Sequence, residues 1–121
     1  MLGVIVFAHG SRDPQWRLPV EAVARQIAQR DASVVVSCAY LELCEPDLPT
    51  ACDTLVNQGA SRIHVLPLFF GMGKHAREDL PELIRALGQR YPSVYFQQLA
   101  TAGEDPRLTE LLARIALEQI P

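Results

Sequence analysis

Four apolar, β-branched runs, Gly3 to Ala8, Ser33 to Leu41, Arg62 to Phe69 and Ser93 to Leu99, lack the polar alternation of strands with one wet face. Such runs suit strands covered on both sides, the condition of a parallel sheet. This constrains the chain more than any other feature, because parallel strands need a crossover between each pair.

The intervening segments supply those crossovers. Val20, Val23, Ala24, Ile27 and Ala28 form one helical stripe; Leu48, Ala51, Cys52, Leu55 and Val56 a second; Leu80, Leu83, Ile84 and Leu87 a third; and Leu108, Leu111, Leu112, Ile115 and Ala116 a fourth. Each follows the i, i+3, i+4, i+7 spacing of an amphipathic helix. Leu18-Pro19, Leu48-Pro49, Leu80-Pro81 and Asp105-Pro106 are read as helix openings, where a missing proline N–H costs little. Asp47, Asp79 and Asp105 are candidate caps or first-turn anions. Gly59 closes the second helix and Tyr91-Pro92 the third, after a weak spot at Gly88.

The resulting βαβαβαβα order, with right-handed crossovers, predicts an α/β, flavodoxin-like half-domain: a four-stranded parallel sheet of order 2-1-3-4 with helices on both faces. At 121 residues and 49% apolar content, one domain over residues 1–121 without a linker is expected. The opening Met1-Leu2-Gly3-Val4 has no basic flank, and its apolar run ends at His9, far short of the roughly 20 residues that span a bilayer. A soluble, cytoplasmic protein with no membrane partner is expected. A formal net charge of −3 argues against nucleic-acid binding. Cys38, Cys44 and Cys52 form no C-x-x-C pair and are read as reduced packing residues.

Ligands of such sheets bind beyond the carboxyl ends of the strands, where strand order reverses, here between the first and third strands. His9 follows the first in Ala8-His9-Gly10-Ser11, and His75 follows the third in Gly71-Met72-Gly73-Lys74-His75. A loop histidine alone is often only a hydrogen-bonding residue; two at one switch point favour metal chemistry. Glu42, ending the second strand, is the third candidate, with Glu45 its competitor, and two imidazoles plus a carboxylate suit a first-row divalent metal. His64 lies inside the third strand and is excluded. The stretch Gly71 to Asp79 is read as a mobile, ligand-facing loop. Ser11 and Arg12, with backbone donors beside His9, suit carboxylates or phosphates. A P-loop is absent and the third glycine of a dinucleotide fingerprint is missing, so nucleotides, ATP included, have little support.

His9-Gly10-Ser11-Arg12-Asp13-Pro14, Tyr40-Leu41-Glu42 with Glu45-Pro46, and Pro67-Leu68-Phe69-Phe70 through Gly73-Lys74-His75 to Asp79-Leu80-Pro81, in this order, resemble the CbiX/SirB chelatases over nearly the whole chain. The resemblance implies ATP-independent insertion of a divalent metal into sirohydrochlorin, in cobalamin or sirohaem-type biosynthesis, with no cofactor beyond the metal substrate. It implies the short, single-half-domain form, which assembles as a homodimer. His9 and His75 would present the metal and take up protons, Glu42 assisting as ligand or base, with either histidine open to either role, and Ser11, Arg12, Lys74 and Arg77 would hold the tetrapyrrole carboxylates. Imidazole and carboxylate accept Co²⁺, Fe²⁺, Ni²⁺ and Zn²⁺ alike; cobalt is the favoured expectation, then iron, then nickel. The competing readings are a non-catalytic metal or tetrapyrrole carrier and a structural partner of another chelatase chain.

Overall fold

The computed structural model describes residues 1–118. Residues 119–121 of the expected domain lie outside the described residues. The strands are β1 (Leu2–Ala8), β2 (Val35–Tyr40), β3 (Arg62–Pro67) and β4 (Tyr95–Gln98), and the helices α1 (Leu18–Arg30), α2 (Leu48–Asn57), α3 (Lys74–Arg90) and α4 (Pro106–Leu117). Short 3-10 helices at Pro14–Arg17 and Ala102–Glu104 precede α1 and α4. All pairings are parallel in the order β2-β1-β3-β4, with Val6 opposite both Cys38 and Leu66. The expected topology is the observed one.

Residue alternation along the strands feeds two cores. Ile5, Phe7, Ala39, Ile63 and Val65 point to one face and meet Ala51, Cys52 and Leu55 of α2 and Leu80, Ile84 and Leu87 of α3. Val6, Ala8 and Tyr40 point to the other and meet Val20 of α1, with Val23, Ala24 and Ile27 alongside. β1, hydrogen-bonded on both edges like β3, is buried along Gly3 to Ala8; β4 leaves Tyr95, Gln97 and Gln98 exposed. Burial of every strand on both faces is therefore corrected for β4. It is an edge strand, and α4 buries none of its residues.

Local chemistry sets the helix ends. Asp47 accepts from the Thr50 N–H at 2.9 Å and Asp105 from the Arg107 N–H at 2.8 Å, as N-caps of α2 and α4. These hydrogen bonds hold the Asp47 carboxyl below its usual range, and the Arg107 side chain and N–H hold Asp105 at about 2. Gly59, at φ +100°, closes α2. The start of α3 is a correction: Lys74, not Leu80-Pro81, begins it, so Pro81 lies inside the helix and Asp79 is no cap. Gly73 is the N-cap, and its carbonyl accepts from Arg77 at 3.0 Å. The expected loop thus shrinks to the residues before Lys74. None of the described helices is long and apolar enough to cross a membrane.

Candidate functional site

The site is built where hydrogen bonding between β1 and β2 outlasts the strands. Leu41 N–H donates to the Ala8 carbonyl at 2.9 Å and Glu42 N–H to the His9 carbonyl at 3.1 Å. Gly10, at φ +108°, lets the two loops close, because a Cβ there would lie 1.8 Å from the Glu42 carbonyl oxygen. Glu42 is thereby set beside His9, with Nε2 to Oε1 at 3.1 Å. Both side chains are over half exposed, 57% and 55%. With Nε2 donating to the carboxylate, Nδ1 keeps its lone pair, the arrangement in which an imidazole can bind a metal or accept a proton.

The His9 ring stands edge-on to Phe69, centroids 6.4 Å apart and planes at 90°, and Phe69 stands edge-on to Phe7 at 6.0 Å. Phe69 thus links the imidazole to the core beneath α2 and α3. The next loop is braced by Gly103, whose N–H donates to the Phe69 carbonyl at 2.9 Å and whose Cα lies where a Cβ would strike the Phe70 carbonyl. Gly10 and Phe69 stand in the sequence motifs without a structural role assigned to them, and Gly103 was not singled out. Gly10, adjoining His9, carried the only local signal, a glycine directly after a strand.

Ser11 Oγ accepts from the Asp13 N–H at 3.0 Å, and Asp13 in turn caps the first 3-10 helix through the Gln15 N–H at 2.9 Å. The turn occupies Asp13 and leaves Arg12 exposed to solvent. Lys74, His75 and Arg77 lie in the first turn of α3, exposed, with no acidic residue in that turn. Its unpaired N–H groups and the helix dipole add to the two cationic side chains, unfavourable for the helix alone and favourable for a carboxylate-bearing ligand.

The expected residues therefore fall into two groups, His9 with Glu42 and Ser11 and Arg12, and His75 with Lys74 and Arg77 across the β3–α3 connection. Among the described residues no three His, Cys, Asp or Glu side chains converge to hold a metal. Glu45 lies apart from His9, lining a concavity of about 490 Å³ with Leu43, Cys44, Pro46, Asp47 and Thr50. His64 is within β3, its Nε2 buried with no hydrogen-bond partner among the described residues. Burial pushes the Cys38 thiol and Tyr40 hydroxyl up, so neither is a ready base.

A family model described as CbiX matches residues 3–119. The curated relatives include sirohydrochlorin cobaltochelatases and ferrochelatases, and the chain spans about half to two thirds of the length of most of them. One, the chloroplastic sirohydrochlorin ferrochelatase of Arabidopsis thaliana, is 28% identical over 110 residues, 91% of this chain and 49% of its own. Among solved structures, a CbiX protein from Marinobacter aquaeolei VT8 superimposes with a TM-score of 0.82 at 30% identity, covering 96% of this chain and 94% of that one. The sirohydrochlorin chelatase SirB from Bacillus subtilis subspecies spizizenii, in complex with cobalt, gives 0.79 at 28% identity over 95% of this chain and 50% of its own.

Proposed function

The chain belongs to the CbiX family, and on that premise we propose that it inserts a divalent metal into sirohydrochlorin without ATP. The observation that carries this reading is the His9–Glu42 pair, 3.1 Å apart at the carboxyl edge of β1. Insertion must strip water from the ion and remove pyrrolic protons while the macrocycle is held so that its nitrogens can reach the metal. An imidazole polarised by a carboxylate suits both tasks near neutral pH. The exposure of the pair fits a broad, planar substrate better than an enclosed pocket would.

In this reading His9 and His75 meet the metal or take up protons, and Glu42 orients His9 or ligates directly. Ser11, Arg12, Lys74 and Arg77 hold the peripheral carboxylates. Cobalt is the favoured metal, supported by the cobaltochelatase relatives and the cobalt complex of SirB. Iron is next, on the ferrochelatase relatives, and nickel third. The working unit in this reading is a homodimer acting in the cytoplasm.

The test is anaerobic, absorbance-monitored insertion of Co²⁺, Fe²⁺ and Ni²⁺ into sirohydrochlorin by the wild type, His9→Ala and His75→Ala. The expected result is acceleration over the spontaneous rate that both substitutions remove. Tight binding of metal or tetrapyrrole without acceleration would make the protein a carrier; neither binding nor acceleration would leave a structural partner.

A further inference from the structure

Resting on the reading of the site given above, we infer that Phe69 is a positioning residue for His9: its ring, arriving from the β3 side, holds the imidazole in the rotamer that meets Glu42, which arrives from the β2 side. His9 leaves β1, the strand that lies between β2 and β3. The β1–β3 register pairs Phe7 with Pro67, and Leu68 N–H donates to the Phe7 carbonyl at 2.7 Å. Continued by the same step, that register brings Phe69 level with His9. The two rings stand at 90° with centroids 6.4 Å apart, within the range of edge-to-face aromatic pairs.

Phe69 can impose an orientation because it is itself fixed. Its ring lies edge-on to Phe7, centroids 6.0 Å apart, and Phe7 is buried in the α2/α3 core. Its carbonyl accepts from the Gly103 N–H at 2.9 Å, which ties the backbone to the segment before α4. The next residue, Phe70, is 75% exposed, so the loop turns one of its two adjacent rings to solvent and keeps the other against His9.

The imidazole needs such a support. With its side chain 57% exposed and a single hydrogen bond to Glu42, it has open space in which to leave that bond for another staggered rotamer. A ring packed against it from the opposite neighbouring strand removes that freedom and fixes the direction in which Nδ1 points. Reactivity is sensitive to such placement, a displacement of about 1 Å being enough to cost about 100-fold in rate.

The test reads the orientation of His9 separately from turnover. Phe69→Leu and Phe69→Met keep an apolar side chain against Phe7 and lose the ring. Three-bond NMR couplings in the folded protein should show one His9 χ1 rotamer in the wild type and an average over rotamers in both variants, whereas a purely structural role would lower the urea midpoint and leave the rotamer alone. In metal insertion, Phe69→Leu should lower kcat by about 10- to 100-fold with KM for the tetrapyrrole within about twofold. It should cost nothing further in the His9→Ala background, because effects that pass through one residue do not add. An unaltered His9 rotamer in the folded variants, or an equal loss of rate in both backgrounds, would overturn the inference. Rotamer averaging in the variants of a protein whose wild type does not accelerate insertion would uphold the positioning role and overturn the chelatase reading.

Discussion

His9 Nε2 and Glu42 Oε1 lie 3.1 Å apart, although 33 positions separate the two residues in the chain. Because both are over half exposed, the bond adds little to stability, about 0 to 1 kcal/mol for a surface pair. His9→Ala should therefore leave the urea midpoint nearly unchanged while lowering metal insertion about 100-fold or more, the scale of a lost acid–base group. Glu42→Gln, which keeps a hydrogen-bonding oxygen but no charge, should fall between the two. Insertion assays beside urea titrations decide both; a parallel loss of rate and stability would contradict this account.

Gly10→Ala should act on both at once. The added Cβ meets the Glu42 carbonyl at a backbone angle of φ +108°, costing more than about 1 kcal/mol from the left-handed conformation alone and pushing Glu42 from His9. Gly103→Ala should destabilise likewise, since its Cβ meets the Phe70 backbone. Gly71→Ala, with nothing within 4 Å, should be near neutral. Equal midpoints for all three would show that the loops do not close as described.

The cations should act on binding. Arg12→Ala, Lys74→Ala and Arg77→Ala should each raise KM for the tetrapyrrole several-fold with little change in kcat, and added salt should raise wild-type KM in the same sense. A fall in kcat at constant KM would place these residues in the chemistry instead.

Asp47 should matter through α2. Loss of the cap in Asp47→Ala is expected to cost about 1 kcal/mol at neutral pH. Its carboxyl is held below the ordinary 3.8 by the Thr50 hydrogen bonds, so the folded state binds the proton less readily than the unfolded chain. The cap's contribution is thus fully present above that value and is lost as pH falls through the folded one. Wild type and variant should converge in stability on acidification; a gap that widened in acid would reverse the sign. Asp105, held at about 2 by Arg107, should lose its contribution over the same acidic range.

Cys52 should resist alkylation. Its side chain is inaccessible, and burial first, then the Asp53 charge, pushes its thiol to about 11. Mass spectrometry after iodoacetamide should find it modified only once the protein is unfolded. Ready labelling in the native state would mean that α2 opens readily.

The strands and apolar stripes were legible because burial imposes a period of its own on each element, as Ile5 and Phe7 on one face and Val6 and Ala8 on the other illustrate. The start of α3 was not. Proline usually marks a first turn, yet Pro81 sits a full two turns inside, since Gly73 caps the helix and Leu80, Ile84 and Leu87 anchor it on the sheet. A local rule lost there to tertiary packing.

By itself the sequence determined the parallel sheet, its order and the loops that carry the candidate residues, because periodicity and turn residues act over a few neighbours. Only the tertiary structure decided that Glu42, rather than Glu45, meets His9, that His75 stands apart on a helix, and that the stripe of α4 stays exposed in a single chain. Those outcomes depend on hydrogen-bond register and surface coverage between segments far apart in the chain, and no local pattern encodes that distance.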